Sequence, residues 1–377
     1  MKFILDGESD GIDEYPSNDN VASQNSDMID PFFGSEQVFN SGSTNFISAV
    51  VLDSTHICVS YTDGGNSAYG TSIIGTISGN SISWNTASVF NAGYTSYISA
   101  MALDSTHICV SYRNDENSYY GTSIIGTVSG SNISWGTASV FNFASTNEIS
   151  AVVLDNTHIC VSYQDGGNSN YGTSIIGTVS GNSISWGSAS VFNAGWTQYI
   201  SAVTLDSIHI CVSYRDDENS YYGTSIIGTI SGNSISWGTK QVFNSVVTDY
   251  ISAVALDSTH ICVSYRELYY GTSIIGTISG NSISWGTKQV FSSVVTDEIS
   301  AVTLDSTHIC VSYSDTGNSI IGTISGNSIS WSTKQVFNST SINFISTVAL
   351  DSTHICVSYQ DYLNSGYGIS IIQEYTF

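Results

Sequence analysis

Basic residues are nearly absent from this chain. Lysine and arginine together fill 7 of 377 positions against 31 aspartates and glutamates, a formal net charge of −24 at pH 7. A phosphate-binding groove needs clustered Lys and Arg, so the composition argues against nucleic acid as a partner. Contact with an anionic membrane surface is disfavoured for the same reason. Charged residues of both signs make up only 10%, and the acidity serves to keep an otherwise uncharged surface soluble. Apolar runs are short as well. None approaches the roughly 20 residues of a membrane helix, so membrane insertion is not expected. The opening MKFIL is followed at once by Asp6, Glu8 and Asp10, which leaves no signal-peptide core and no expectation of cleaved export for the chain as written. The compartment stays open, with a surface, extracellular or virion-associated role among the options. Proline occurs only twice, while Gly (34) and Tyr (23) are abundant and 41% of residues are hydrophobic. That mixture suits a real core of strands joined by tight turns.

What is present is a repeat. The seven histidines fall at 56, 107, 158, 209, 260, 308 and 354, each in the phrase L-D-S-T-H-I-C-V-S-Y with Asn156 and Ile208 as the only changes. A unit of about fifty residues has been copied seven times, the period of a structural array. Within the first unit, 46–53, 56–62, 69–78 and 81–90 read as four strands. The links D-S-T and S-G-N carry the turn chemistry of antiparallel hairpins. A four-stranded meander at this period resembles a β-propeller blade. The expected fold is therefore all-β: a seven-bladed β-propeller with four antiparallel strands per blade and blades starting near 46, 97, 148, 199, 250, 298 and 344.

The ends predict closure. The last unit stops before its fourth strand, whereas residues 32–40 (FFGSEQVFN) match the fourth-strand phrase SWGTKQVFN at 236–244. The N-terminal strand should complete the C-terminal blade, as a ring needs in order to hide its last edge. Residues 32–377 form the propeller in this reading. Residues 1–31, rich in Asp, Glu, Ser and Asn, form an acidic arm unable to fold alone.

The seven cysteines, one per blade in I-C-V, read as small buried hydrophobes that cannot pair. The histidines cannot share a metal, because equivalent strands of neighbouring blades lie about 10 Å apart. Each instead joins its own Asp and Thr, as Asp53, Thr55 and His56, in a hydrogen-bonded turn. This resembles the Asp–His–Ser/Thr–Trp network of WD40 blades. Trp84, Trp135, Trp186, Trp237, Trp285 and Trp331 read as packing between blades.

Differences between copies concentrate in two sets of loops: the second-to-third-strand loops, such as 62–70 and 113–121, and the fourth-to-first-strand loops, such as 41–45 and 92–96. Both sets should emerge on one face. They carry Tyr94, Trp196, Tyr119, Tyr221 and Tyr269 with the few cations Arg113, Arg215 and Arg266, the residue types that binding faces use. D-x-G-N-S in the same loops makes Asp63, Asp165 and Asp216 weak calcium candidates, and no other cofactor is expected. Glu148 and Glu298 replace the aromatic that begins the first strand elsewhere. With the three arginines they are loosely similar to a sialidase, which has six blades and differently placed Asp-boxes. A nearly symmetric ring holds like groups apart rather than converging unlike ones, so no enzyme is expected.

Near-identical tandem blades resemble lectin-like propellers and repetitive microbial surface proteins. The resemblance implies a non-catalytic, multivalent interaction or structural protein acting in adhesion or self-assembly, including filaments made through the arm. The alternatives are a glycan-binding lectin and, more distantly, a sialidase-like hydrolase. Expected partners are a protein (self-association) or a glycan.

Overall fold

The computed structural model describes residues 32–376; the acidic arm 1–31 lies outside the described residues. What is described is all-β, made of repeated antiparallel blades, and none of its helices is long and apolar enough to cross a membrane. The first full blade comprises Thr44–Asp53, His56–Asp63, Tyr69–Ser78 and Ser81–Trp84, each paired antiparallel with the next. The sequence reading of one fourth strand over 81–90 is corrected here. The strand breaks over 85–87 and resumes at Ser88.

The resumed strand runs Ser88–Asp104 without interruption, so the expected loop at 92–96 is strand. Tyr94 still pairs with Tyr69 of the blade being left, while Thr95 already pairs with Asn114 of the blade being entered. Backbone groups crossing between two blades find ladder partners on both sides, which a loop there would leave unmet. Register shifts on each side absorb the bend. Ser139–Asp155 and Ser190–Asp206 repeat this crossing.

The core lies between blades. Leu52, Cys58, Ile74 and Phe90 pack with Ile98, Ile108, Val110 and Tyr112 of the following blade. The second strand is covered on both faces, so alternation disappears: Ile57, Cys58, Val59 and Ser60 are all buried. The Ser60 hydroxyl is satisfied by Ser72 Oγ at 2.8 Å. All seven cysteines are free and buried, as expected. Phe90 lies against Tyr112 and Trp135 at centroid distances of 5.1 and 5.5 Å. The repeated Tyr-Gly has its reason here, since a Cβ at Gly70 would stand 2.4 Å from the Phe90 ring. In 314–319 the shortened loop lacks Tyr-Gly, and Gly317 takes that position under Phe337.

Neighbouring first strands are stitched in series. Ser48 Oγ accepts the Ala100 N–H, Ser99 that of Ala151, Ser150 that of Ala202 and Ser201 that of Ala253, all at 2.9–3.0 Å. Ser252 accepts from Ala301, Ser300 from Thr347 and Ser346 from Ala49, again at 2.9–3.0 Å. At the N-terminal end of the described chain, Phe32–Phe33 and Gln37–Asn40 pair with Tyr367–Glu374.

Candidate functional site

The loop-bearing face carries a belt of polar side chains at the ends of the second strands. Each reaches into the next blade. Thr62 Oγ1 donates to Thr95 O at 2.6 Å, Gln164 Nε2 to Thr197 O at 2.8 Å and Gln360 Nε2 to Asn45 Oδ1 at 3.0 Å. The three arginines occupy the same position. Arg113 binds Asp115 (Nε to Oδ1, 2.6 Å) and Asn147 of the next blade. Arg215 binds Asp217 at 2.6 Å, Gln198, and Asp249 of the next blade. Arg266 binds Asp249 Oδ2 at 2.6 Å and Asp297 of the next blade. Asp249 is thus shared by two arginines. Each guanidinium also lies over a ring of the first strand: Tyr97 at 4.8 Å, Tyr199 at 4.9 Å and Tyr250 at 4.6 Å. Arginines so neutralised and stacked join blades to one another, and no shared anion site brings them together.

The predicted aromatics lie outside that belt and are exposed. Tyr94 and Trp196 are each about half accessible and sit cross-strand from Tyr69 and Tyr171. Tyr119 and Tyr221 are exposed at left-handed φ values of 62° and 63°, with Arg113 and Arg215 over their rings at 5.3 and 5.4 Å. Tyr269 is exposed beside Leu268 and Tyr270. A carboxylate lies against the glycine that precedes two of them. A side chain at Gly93, next to Tyr94, would meet Glu116 Oε2 at 3.0 Å, and one at Gly195, next to Trp196, would meet Glu218 at 3.2 Å. Both acids come from the loop of the following blade.

The calcium candidates are engaged by neighbouring groups, Asp63 and Asp165 in turn formation. Asp63 Oδ1 accepts the Gly65 N–H at 3.0 Å and Asn40 Nδ2 at 3.2 Å. Asp165 accepts Gly167 N–H and Asn142 Nδ2, both at 3.0 Å. Asp216 is buried against Asn193 Nδ2 at 3.3 Å and Lys240 Nζ at 3.2 Å. Among the described residues no three His, Cys, Asp or Glu side chains are grouped to hold a metal. The His turns form as expected, with Thr55 N and Oγ1 donating to Asp53 Oδ1 at 2.7 and 2.8 Å and His56 Nδ1 at 3.0 Å.

Equivalent positions within the first strands carry Phe46, Tyr97, Glu148, Tyr199, Tyr250, Glu298 and Phe344. All seven have φ between 48° and 53°, a region bulky L residues rarely adopt. The conformation belongs to a bulge, visible as the register shift between Asn45 and Ser48 and its equivalents. A cavity of about 210 Å³ opens among Phe46, Tyr97, Glu148, Glu298 and Phe344. Burial pushes both carboxyl groups above the ordinary range. The Tyr199 N–H (2.8 Å to Glu148 Oε2) and Arg215 oppose this at Glu148. At Glu298 the Phe344 N–H opposes it, while the charges of Asp297 and Glu148 add to it.

No family model matches the chain, and no curated protein matches its sequence. Solved structures do match in shape. The BP39L lectin from Burkholderia pseudomallei superposes with a TM-score of 0.65 at 10% identity, covering 88% of this chain and 96% of the other. The beta-propeller domain of Cps50 (Swd1) from Myceliophteria thermophila gives 0.58 at 8% identity, over 89% and 99%. AofleA from Arthrobotrys oligospora gives 0.51 at 12% identity, over 81% and 90%. The fold is that of a β-propeller.

The five aromatics that the sequence reading named, Tyr94, Trp196, Tyr119, Tyr221 and Tyr269, are exposed, Tyr94 and Trp196 within strands rather than loops; that reading did not name every exposed aromatic. It missed Phe143, which is 74% exposed and detectable as the one aromatic among Ala and Ser at its repeat position. It also missed Glu116 and Glu218, whose approach to Gly93 and Gly195 has no mark in linear sequence.

Proposed function

We propose that the chain is a seven-bladed propeller closed by its N-terminal strand, and that it acts as a non-catalytic, multivalent binding protein for glycans. Closure is supported by the antiparallel pairing of Gln37–Asn40 with Tyr367–Glu374. The serine-to-amide series, in which Ser346 accepts from Ala49, supports it further. The function rests on one observation: exposed Tyr94 and Trp196 stand at equivalent blade junctions, with Glu116 and Glu218 of the next blade against the preceding Gly93 and Gly195. A flat aromatic surface stacks on the C–H face of a sugar ring, and a carboxylate accepts its hydroxyl donors. Weak sites repeated on one rigid face add through avidity. The internal pairing of all three arginines weighs against a sialidase-like carboxylate clamp.

The experiment is calorimetric titration with a panel of soluble neutral and acidic oligosaccharides. Saturable binding at more than one site per chain, reduced in number by Trp196→Ala, is the expected result. Absence of binding across the panel overturns it. A second reading, association between copies of the chain, is favoured by the apolar sector of Val247, Leu268, Tyr269, Tyr270, Val294 and Val295, all exposed. Sedimentation that depends on concentration and is abolished by Leu268→Asp would support that reading.

A further inference from the structure

The axial cavity carries chemistry that rim binding does not use. Glu298, Phe344, Phe46, Tyr97 and Glu148 belong to successive blades around the ring, the series passing from Phe344 to Phe46 through the ends of the chain. Phe344 and Phe46 touch at a centroid distance of 5.2 Å, and Phe46 and Tyr97 at 5.3 Å. The result is a continuous aromatic wall with a carboxyl group at each end.

The other sector of the same ring shows what these aromatics accept. Tyr199 and Tyr250 carry Arg215 and Arg266 over their faces at 4.9 and 4.6 Å. The positions equivalent to those arginines beside Phe46 and Phe344 are Thr62 and Gln360, which are neutral. That sector therefore has two acids and an opening, with Arg113 over Tyr97 but a neutral residue beside Phe46 and Phe344. We propose that the axial cavity binds a small organic ammonium ion, held on the faces of Phe344 and Phe46 between Glu298 and Glu148.

Three considerations narrow the ligand to this class. An aromatic face attracts a cation through its quadrupole, most strongly where water is excluded. A bare metal ion needs several oxygen ligands around one centre, which an aromatic wall with two acids does not supply. A net charge of −24 raises the local concentration of any cation at the mouth. An entering ammonium also opposes the effect of burial and of the negative neighbours of Glu298, which raise its carboxyl above the ordinary range.

The test uses the full chain with choline, its neutral carbon isostere 3,3-dimethylbutan-1-ol, and sodium chloride at equal ionic strength, followed by calorimetry and by the shift in melting temperature. Choline is expected to bind saturably, with the neutral isostere at least about tenfold weaker and sodium chloride without effect. Glu148→Gln/Glu298→Gln keeps a carbonyl for the Tyr199 and Phe344 N–H groups and should weaken choline by a similar factor. Trp196→Ala should leave choline binding unchanged, which separates this site from the rim. Equal binding of choline and its isostere, no response beyond that of sodium chloride, or full choline affinity in a folded double variant overturns the proposal. If the double variant does not fold, the comparison of choline with its isostere on the natural chain decides alone.

Discussion

The Trp186 indole N–H donates to Ser139 Oγ at 3.0 Å, joining one blade to the strand that closes the blade before it. Trp135 does the same with Ser88 and Trp237 with Ser190. Where that strand begins with glutamine instead, as at Gln37, Gln241 and Gln289, the indole nitrogens of Trp84, Trp285 and Trp331 are buried without a partner.

Exchanging the two arrangements should therefore move stability in opposite directions. Ser139→Ala leaves a buried donor unmet and should cost about 1–2 kcal/mol, while Gln241→Ser should gain up to about 1 kcal/mol by satisfying Trp285. Denaturant unfolding reads both as a shifted midpoint with unchanged slope. No gain from Gln241→Ser would show that the glutamine is already compensated.

Closure makes a second prediction. Tyr359 donates to Glu36 Oε1 at 2.6 Å, and Phe39 is buried against Tyr61 and Trp84. A chain beginning at Thr44 loses these contacts and leaves the Tyr367–Glu374 strand unpaired at an edge. It should aggregate or melt far below the full chain. A monomer of unchanged melting temperature would refute closure by this strand.

Acid should weaken the fold below pH 4. Burial works against ionisation of the turn aspartates. Hydrogen bonds from the Thr backbone and hydroxyl, together with the His partner, outweigh it and lower Asp257, Asp305 and Asp351 to about 2. Because the folded value lies below the unfolded value of about 3.9, this stability is present above pH 4 and is lost as pH falls toward 2. In a melting series against pH, Asp257→Asn should be less stable than the natural chain at pH 6, with the gap closing by pH 2. A constant gap would place its origin elsewhere.

Thiol chemistry supplies the fourth. Burial pushes all seven cysteines up to about 12. None should react with a thiol reagent at pH 8 in the native state, and all seven should react after unfolding. Rapid native labelling of several would contradict the packing between blades.

The repeat period by itself determined the first three strands of a blade, their hairpin turns and the burial of Cys58 and its equivalents, because hairpin register depends on residues close in sequence. The break at 85–87 and the strand through 92–96 it did not. Even the pairing of 32–40 with the last blade was legible, since a fragment missing at one end stood at the other. The partner of Arg215 in the next blade was not. Asp249 lies 34 residues on in the next blade, and only the packing of one blade on another brings it within reach. The same holds for Ser139 under Trp186, and for Glu148 and Glu298, which face one cavity from blades distant in sequence. Alternation along a strand says which side a residue faces. What stands opposite is decided by how the blades are arranged around the axis.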